Sequence, residues 1–164
     1  SITMGSLDGG SPDEITTSLM KALDDAVLSP IWTPDISKAV WQKLLINIAI
    51  NPICSISGVR NGALLENDLW EQSQEILQES LSVAQASGIN ITGPEIQNLL
   101  IEVVEATSGN RCSMLQDLMA GRRTEIDSLC GYVIRMGESL GIPTPLNSML
   151  RALVKGVEMS SHTD

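Results

Sequence analysis

Apolar residues recur at intervals of three and four along most of the chain, the spacing typical of the buried face of an α-helix. Glycines, prolines and the Asn-Gly pair divide this pattern into separate segments. We predict helices at residues 36–57, 68–87, 94–107, 113–120, 125–140 and 146–159. We also predict a loop at 57–64 and Thr124 as the cap of the helix at 125–140. Two stretches, 44–50 and 99–104, are apolar on more than one face, so we expect other helices to surround them.

The first 35 residues follow a different pattern. A short strand-like piece is followed by a turn rich in Gly, Asp and Pro. Pro12 predicts the start of a helix that ends near residue 26 or 27, and residues 29–36 predict extended chain. These pieces cannot form a core alone, so we interpret residues 1–35 as the remnant of a preceding α/β domain. Residues 36–164 are then a helical domain, and the fold class is mainly α with a small α/β remnant at the N-terminus.

Three polar residues interrupt the apolar segment VWQKLLINIAINPI at residues 40–53. Lys43, Asn47 and Asn51 are spaced by four, so they form one stripe on a helix. A solvent-facing stripe is the simpler interpretation, since every surface helix has a polar face. The narrow polar face and the weak helix propensity of Asn favour a cleft, where carboxamides can both donate and accept hydrogen bonds.

Four more polar residues are candidates, and each also has a local explanation. Asn61 precedes Gly62, and Asn-Gly is a common turn. Asn110 and Ser113 flank a predicted helix start, where helix capping alone would account for them. Glu125 lies in the predicted first turn of a helix, where an acidic side chain complements the helix dipole.

Composition narrows the classes of function. The formal net charge of −10 disfavours binding to nucleic acid or to an anionic membrane. The longest apolar run is shorter than a membrane span, and no signal peptide is visible. The three cysteines lack C-x-x-C spacing, which argues against a zinc site and favours buried thiols in a reducing, cytoplasmic location. No Gly-x-Gly-x-x-Gly motif occurs, so the chain itself lacks the usual dinucleotide-binding turn.

Four motifs in register resemble the C-terminal domain of the ketopantoate reductase family. They are WQKLLINIAINPI with the following NGAL, then NRCSMLQD, RRTEID and GIPTPLN. The resemblance covers about residues 35–158, and the residues before it resemble the end of that family's nucleotide-binding domain. It implies a helical domain of the 6-phosphogluconate dehydrogenase C-terminal-like type.

The resemblance also implies a reaction, the NADPH-dependent reduction of 2-dehydropantoate to pantoate on the route to pantothenate and coenzyme A. Lys43 matches the family's catalytic lysine and would donate a proton to the substrate oxygen. Glu125 matches an acid that lies where cofactor, lysine and substrate meet. The residues that match substrate-binding positions are Asn47, Asn51, Asn61, Asn110 and Ser113.

Two alternatives remain open. A reductase of the same superfamily could act on another 2-oxo acid, or the helices could form a non-catalytic dimerisation or interaction module. Under the family interpretation, the partners are the small-molecule substrate and the protein's own N-terminal nucleotide-binding domain, and a homodimer is possible. Since that domain would supply most of the contacts to NADPH, we expect the chain alone to be inactive.

Overall fold

The computed structural model describes residues 2–7 and 9–160. The chain divides into two compact units, Ser1–Trp41 and Gln42–Asp164. Helices account for most of the described residues, as the sequence pattern predicts. The fold class is therefore confirmed as mainly α, with a small α/β piece at the N-terminal end.

The first unit contains a single β–α–β element. Strands β1 (Ile2–Gly5) and β2 (Pro30–Thr33) pair in parallel, with Ile2 opposite Pro30. A parallel pair needs a crossover connection, and helix α1 (Glu14–Asp25) supplies it. Asp13 caps α1, because its Oδ1 accepts a hydrogen bond of 2.7 Å from Thr16 N. The segment predicted to be extended is therefore a strand.

The second unit is helical. Helix α2 (Ile36–Ser57) begins in the first unit and continues into the second. The elements that follow are a 3₁₀ helix (Asn61–Leu65), α3 (Asn67–Ala86), α4 (Gly93–Ala106), α5 (Ser113–Met119), α6 (Cys130–Leu140) and α7 (Pro145–Ser160). Helix α3 contacts four of these elements: the 3₁₀ helix, α4, α6 and α7. This central position makes α3 the support on which the others pack.

Helix α2 supplies much of the core. Leu45, Ile48 and Ala49 are fully buried, and Ser73 of α3 donates a 3.0 Å hydrogen bond to the Ala49 carbonyl. The helix continues through Pro52 to its end at Ser57. Among the described residues, α2 is the one helix long and apolar enough to cross a membrane. Because 61% of its most apolar stretch is buried in the protein, that property is weak evidence for a membrane.

Helix α7 is fixed to α3 at its first turn. Glu79 of α3 accepts hydrogen bonds from Leu146 N at 3.0 Å and from Asn147 N at 2.9 Å. Its carboxylate also accepts from Asn147 Nδ2 at 2.8 Å. Backbone N–H groups at a helix start have no partner within the helix, so a carboxylate at this position satisfies them.

Two predictions about local structure are wrong. The predicted loop at 57–64 contains a 3₁₀ helix from Asn61 to Leu65. The predicted helix 125–140, capped by Thr124, begins only at Cys130, and turns occupy the preceding residues. Thr124 does accept from Ile126 N at 3.3 Å, but its hydroxyl donates to Glu158 at 2.6 Å. A tertiary contact therefore holds this segment in a conformation that its local sequence does not favour.

All three cysteines are buried free thiols, as predicted. Burial raises the pKa of Cys54 to about 12, and burial likewise raises the pKa of Cys130 to about 12. Since the thiolate is the reactive form, both residues lack the species that alkylating reagents attack.

We therefore expect Cys54 and Cys130 to resist iodoacetamide at neutral pH in the folded protein. All three cysteines should react once the protein is denatured. Peptide mass spectrometry after timed labelling measures each position separately. Labelling of Cys54 or Cys130 in the native protein at the rate seen in denaturant would contradict the burial described here.

Candidate active site

The polar stripe of α2 passes from the surface into the protein interior. Lys43 is exposed, Asn47 is half-buried, and Asn51 retains only 5% of its accessible surface. A stripe facing solvent would stay exposed along its whole length. The simpler interpretation therefore fails at the Asn51 end, where the carboxamide must find partners within the protein.

The carboxylate of Glu125 supplies that partner. Its Oε1 accepts hydrogen bonds from Asn51 Nδ2 at 3.3 Å and from Ser113 Oγ at 3.4 Å. Three candidates from α2, from the start of α5 and from the turn before α6 thus meet at one oxygen. The hydrogen bond between Asn51 and Glu125 is a tertiary contact, because the two residues are 74 positions apart in the sequence.

Cys112 also connects helices α2 and α5. It is the N-cap of α5, and its Sγ accepts from Leu115 N at 3.4 Å. The same thiol lies 3.6 Å from the Asn51 carbonyl oxygen and 3.5 Å from Ser55 Oγ. Capping therefore explains neither Asn110 nor Ser113. This role of Cys112 is hard to predict from sequence, because Cys is not among the preferred capping residues.

Asn61 and Asn110 form a second, separate group. Asn61 N donates to the Asn110 carbonyl at 3.0 Å, which joins the 3₁₀ helix to the segment after α4. Asn61 Nδ2 donates to Thr107 Oγ1 at 3.0 Å, and its buried Oδ1 has no hydrogen-bond partner among the described residues. A Cβ on Gly62 would lie 2.9 Å from that of Ser108, so this close approach requires glycine. The Asn61 carboxamide points inward, whereas Asn110 is exposed.

Lys43 and Asn47 form no hydrogen bond with the shared oxygen in the described part of the chain. With a rise of 1.5 Å per residue, Lys43 is about 12 Å along the helix axis from Asn51. Within residues 2–7 and 9–160, Lys43 forms no ion pair or hydrogen bond with another candidate residue. Its ammonium is therefore available to a group that comes from outside this set.

Glu125 keeps one oxygen available. Oε1 takes both hydrogen bonds, and Oε2 has none from the described part of the chain. An ionised carboxylate only accepts hydrogen bonds, so this oxygen suits a hydroxyl, amide or ammonium donor. In residues 2–7 and 9–160, no group of three or more His, Cys, Asp or Glu residues could hold a metal ion.

Helix α7 holds the turn that carries Glu125. Glu158 Oε1 accepts from Thr124 N at 2.7 Å and from Thr124 Oγ1 at 2.6 Å. Asp127 pairs with Lys155 Nζ and Arg151 Nε, each at 2.6 Å. The hydrogen bond from Lys155, together with that from Arg151, lowers the pKa of Asp127 below its ordinary value.

Two solved structures of oxidoreductases are similar to this chain in fold. One is a PanE/ApbA family ketopantoate reductase from Ralstonia eutropha, 27% identical, with a TM-score of 0.86 over 97% of this chain and 51% of that one. Another is a D-mandelate dehydrogenase complex with NADH, 26% identical, with a TM-score of 0.89 over 98% of this chain and 55% of that one. The chain therefore shares its fold with about half of each of these oxidoreductases.

The family model "Ketopantoate reductase PanE/ApbA C terminal" matches residues 35–158. A 2-dehydropantoate 2-reductase of Vibrio cholerae is 41% identical over 134 residues, which are 81% of this chain and 45% of that protein. The chain belongs to the ketopantoate reductase family and carries its helical C-terminal domain. It spans about half the length of the curated relatives that it matches.

Asp127 gives a pH-dependent test of the contact between α7 and the turn. Its pKa is lowered in the folded state, so its pairs stabilise the protein at pH values above the ordinary value of 3.8. That stabilisation is lost as the pH falls through the folded pKa. We expect the difference in unfolding free energy between wild type and Asp127→Asn to be constant near neutrality and to shrink below pH 3.8.

Urea denaturation at a series of pH values measures this difference. The effect will be small, because the Asp127 side chain is 50% exposed and solvent screens its ion pairs. A difference that grows on acidification would contradict the assigned pairs.

Proposed function

We propose that the chain is the C-terminal part of an NADPH-dependent 2-dehydropantoate 2-reductase, with Lys43 as the proton donor. The observation that carries the proposal is the meeting of Asn51, Ser113 and Glu125 at one carboxylate oxygen. These residues match the family's site pattern, and they come from three separate elements. A protein that kept only the family's fold would have no need to bring them together.

We also propose that residues 1–35 belong to the nucleotide-binding domain and residues 36–164 to the substrate-binding domain. Helix α1 supports this division, because none of its residues is buried and it exposes the apolar side chains of Ile15 and Leu19. A two-stranded sheet with one helix is too small to be stable alone. The remainder of the protein's own N-terminal domain would cover these side chains.

The proposed chemistry needs one proton donor on this chain. NADPH, when bound, supplies the hydride that reduces the 2-oxo carbon of the substrate. The substrate oxygen then gains negative charge, and Lys43 donates a proton to it. Lys43 suits this role because its ammonium is exposed on the stripe and has no carboxylate partner in residues 2–7 and 9–160.

The other candidates would bind and orient the substrate. Asn47 lies one helical turn from Lys43 on the same face. Ser113 and Asn51 offer a hydroxyl and a carboxamide beside Glu125, and the exposed Asn110 stands just before them. Asn61 would act less directly, since its carboxamide is buried and its Nδ2 is already bonded to Thr107.

The free Glu125 oxygen fits part of the cofactor. A carboxylate accepts hydrogen bonds from the ribose hydroxyls or from the carboxamide of the nicotinamide, whereas it repels the phosphate groups. The same oxygen could instead accept from the Lys43 ammonium and orient it. Glu125 therefore has a role at the reacting end of NADPH, and the phosphates need cationic or backbone N–H partners from the N-terminal domain.

Substitution of the lysine tests the proton donor directly. In the full-length enzyme, Lys43→Ala should lower kcat by about 10²- to 10⁴-fold, the usual contribution of a general acid. Steady-state rates of NADPH oxidation with 2-dehydropantoate measure this. Lys21→Ala is the matched control, because Lys21 is also an exposed lysine on a helix but is not one of the candidate residues. Equal activity of the two variants would contradict the assignment.

The chain by itself should show no turnover with NADPH and 2-dehydropantoate, because most of the cofactor site would be absent. Addition of the separately expressed N-terminal domain, or use of the full-length protein, should restore NADPH oxidation. Turnover by the isolated chain at the rate of the full-length enzyme would contradict the proposed division of labour.

A second candidate function is the reduction of another 2-oxo acid. This candidate is supported by the D-mandelate dehydrogenase complex with NADH, because that enzyme shares the fold. A substrate panel with the full-length enzyme separates the two, with 2-dehydropantoate and an aromatic 2-oxo acid each tested with NADPH and NADH. We expect 2-dehydropantoate with NADPH to give the highest kcat/KM. A non-catalytic module would reduce neither acid, and Lys43→Ala would then change nothing.

We further propose a cytoplasmic protein that binds neither nucleic acid nor membrane. Its acidic composition, with a formal net charge of −10, opposes binding to polyanions. A homodimer through the helical domain remains part of the proposal, because α7 exposes Met149 and Leu153 one turn apart. Light scattering on the full-length protein measures its oligomeric state.

A further inference from the structure

We propose that Glu158 is the positioning residue for Glu125, with Arg151 and Lys155 of the same helix as a second tether. The inference rests on the proposed function, in which Glu125 holds the substrate-binding side chains of Asn51 and Ser113. It adds a requirement: helix α7, which supplies none of the proposed site residues, sets the position of the site's carboxylate.

The first tether acts on the residue directly before Glu125. Glu158 Oε1 accepts from both Thr124 N and Thr124 Oγ1, at 2.7 Å and 2.6 Å. Hydrogen bonds to an ionised carboxylate are shorter and stronger than those between neutral groups. This pair is also partly buried, so water competes with it less than at the surface.

The second tether acts two residues after Glu125. Asp127 Oδ1 lies 2.6 Å from Arg151 Nε, and its Oδ2 lies 2.6 Å from Lys155 Nζ. Arg151, Lys155 and Glu158 are spaced by four and three residues, so they share one face of α7. The helix therefore holds the turn on both sides of Glu125.

The turn has some support of its own, because the Glu125 carbonyl accepts from Leu129 N at 3.0 Å and the Ile126 side chain is buried. These contacts hold the backbone and leave the Glu125 side chain to be positioned by others. The turn precedes α6 and lacks a continuous helical hydrogen-bond ladder. Glu125 is exposed, and its hydrogen bonds to Asn51 and Ser113 are long, at 3.3 and 3.4 Å. Bonds of this length are weak, and ordering an exposed segment costs conformational entropy.

Of the two tethers, the one formed by Glu158 contributes more to holding the turn in place. Arg151, Lys155 and Asp127 have side-chain exposures of 44%, 39% and 50%, and ion pairs between such exposed groups contribute little. The Thr124 contact involves a backbone N–H and a hydroxyl in a partly buried position. Loss of Glu158 would leave that N–H without its partner.

The test compares three variants of the full-length enzyme. Glu158→Ala removes both hydrogen bonds, and we expect the KM for 2-dehydropantoate to rise about tenfold, a change equivalent to about 1.4 kcal/mol. Glu158→Gln keeps an oxygen that accepts from Thr124, so its KM should be close to that of the wild type. Glu79→Ala is the matched control, because Glu79 also bonds backbone N–H groups but at the opposite end of α7.

The control separates positioning from stability. Glu79→Ala should lower the Tm about as much as Glu158→Ala and leave the KM unchanged. A purely structural role for Glu158 would reduce the active fraction, which lowers the apparent kcat and spares the KM. An unchanged KM in Glu158→Ala, or the same rise in Glu79→Ala, overturns the proposal.

A double-mutant cycle tests whether Glu158 acts through Glu125. If it does, adding Glu158→Ala to Glu125→Ala should raise the KM further by less than twofold. Additive effects of the two substitutions overturn the proposal, because they would place Glu158 on a separate route to the substrate.

A crystal structure of full-length Glu158→Ala tests the positioning role independently of the proposed function. The proposed function fails if the wild-type enzyme does not reduce 2-dehydropantoate, or if Glu125→Ala is as active as wild type. The positioning claim is then judged by the coordinates alone. Displacement of the Glu125 carboxylate from Asn51 and Ser113 supports it, and an unchanged turn overturns it.

Discussion

One carboxylate oxygen determines how the candidate site is assembled. Glu125 Oε1 accepts from Asn51 on α2 and from Ser113 on α5, and no other described contact joins these three side chains. The apolar faces of α2 and the central position of α3 place these elements near one another. Packing alone would leave the buried Asn51 carboxamide unpaired, and the Glu125 carboxylate gives it and Ser113 a common acceptor.

The site also depends on support that lies behind it. Cys112 caps α5 and contacts the Asn51 carbonyl, so the start of that helix is fixed against α2. Glu158 fixes the turn from the other side. Both residues illustrate a general requirement of catalysis: reacting groups need neighbours that hold them in place. The family match identifies the fold, while these contacts explain how this sequence builds the arrangement.

Much of the fold could be predicted from the spacing of apolar residues and from the glycines and prolines that end helices. Helix α2 has the predicted bounds of 36–57, and α5 begins at Ser113 as predicted, because strong apolar periodicity and helix breakers agree there. The segment before α6 could not be predicted, since its acids and Thr124 are typical of a helix start. Its conformation depends on partners on α7, about 30 residues later, and local sequence does not encode that contact.

The sequence predicted seven candidate residues, and the structure brings three of them, Asn51, Ser113 and Glu125, to one carboxylate oxygen. The roles of all seven stay predictions. The most direct test of the account is a crystal structure of the full-length enzyme with NADP⁺ and pantoate. We expect the pantoate 2-hydroxyl within hydrogen-bond distance of Lys43 Nζ, with Ser113 and Asn51 beside the ligand. Pantoate bound elsewhere, with Lys43 remote from its 2-hydroxyl, would contradict it.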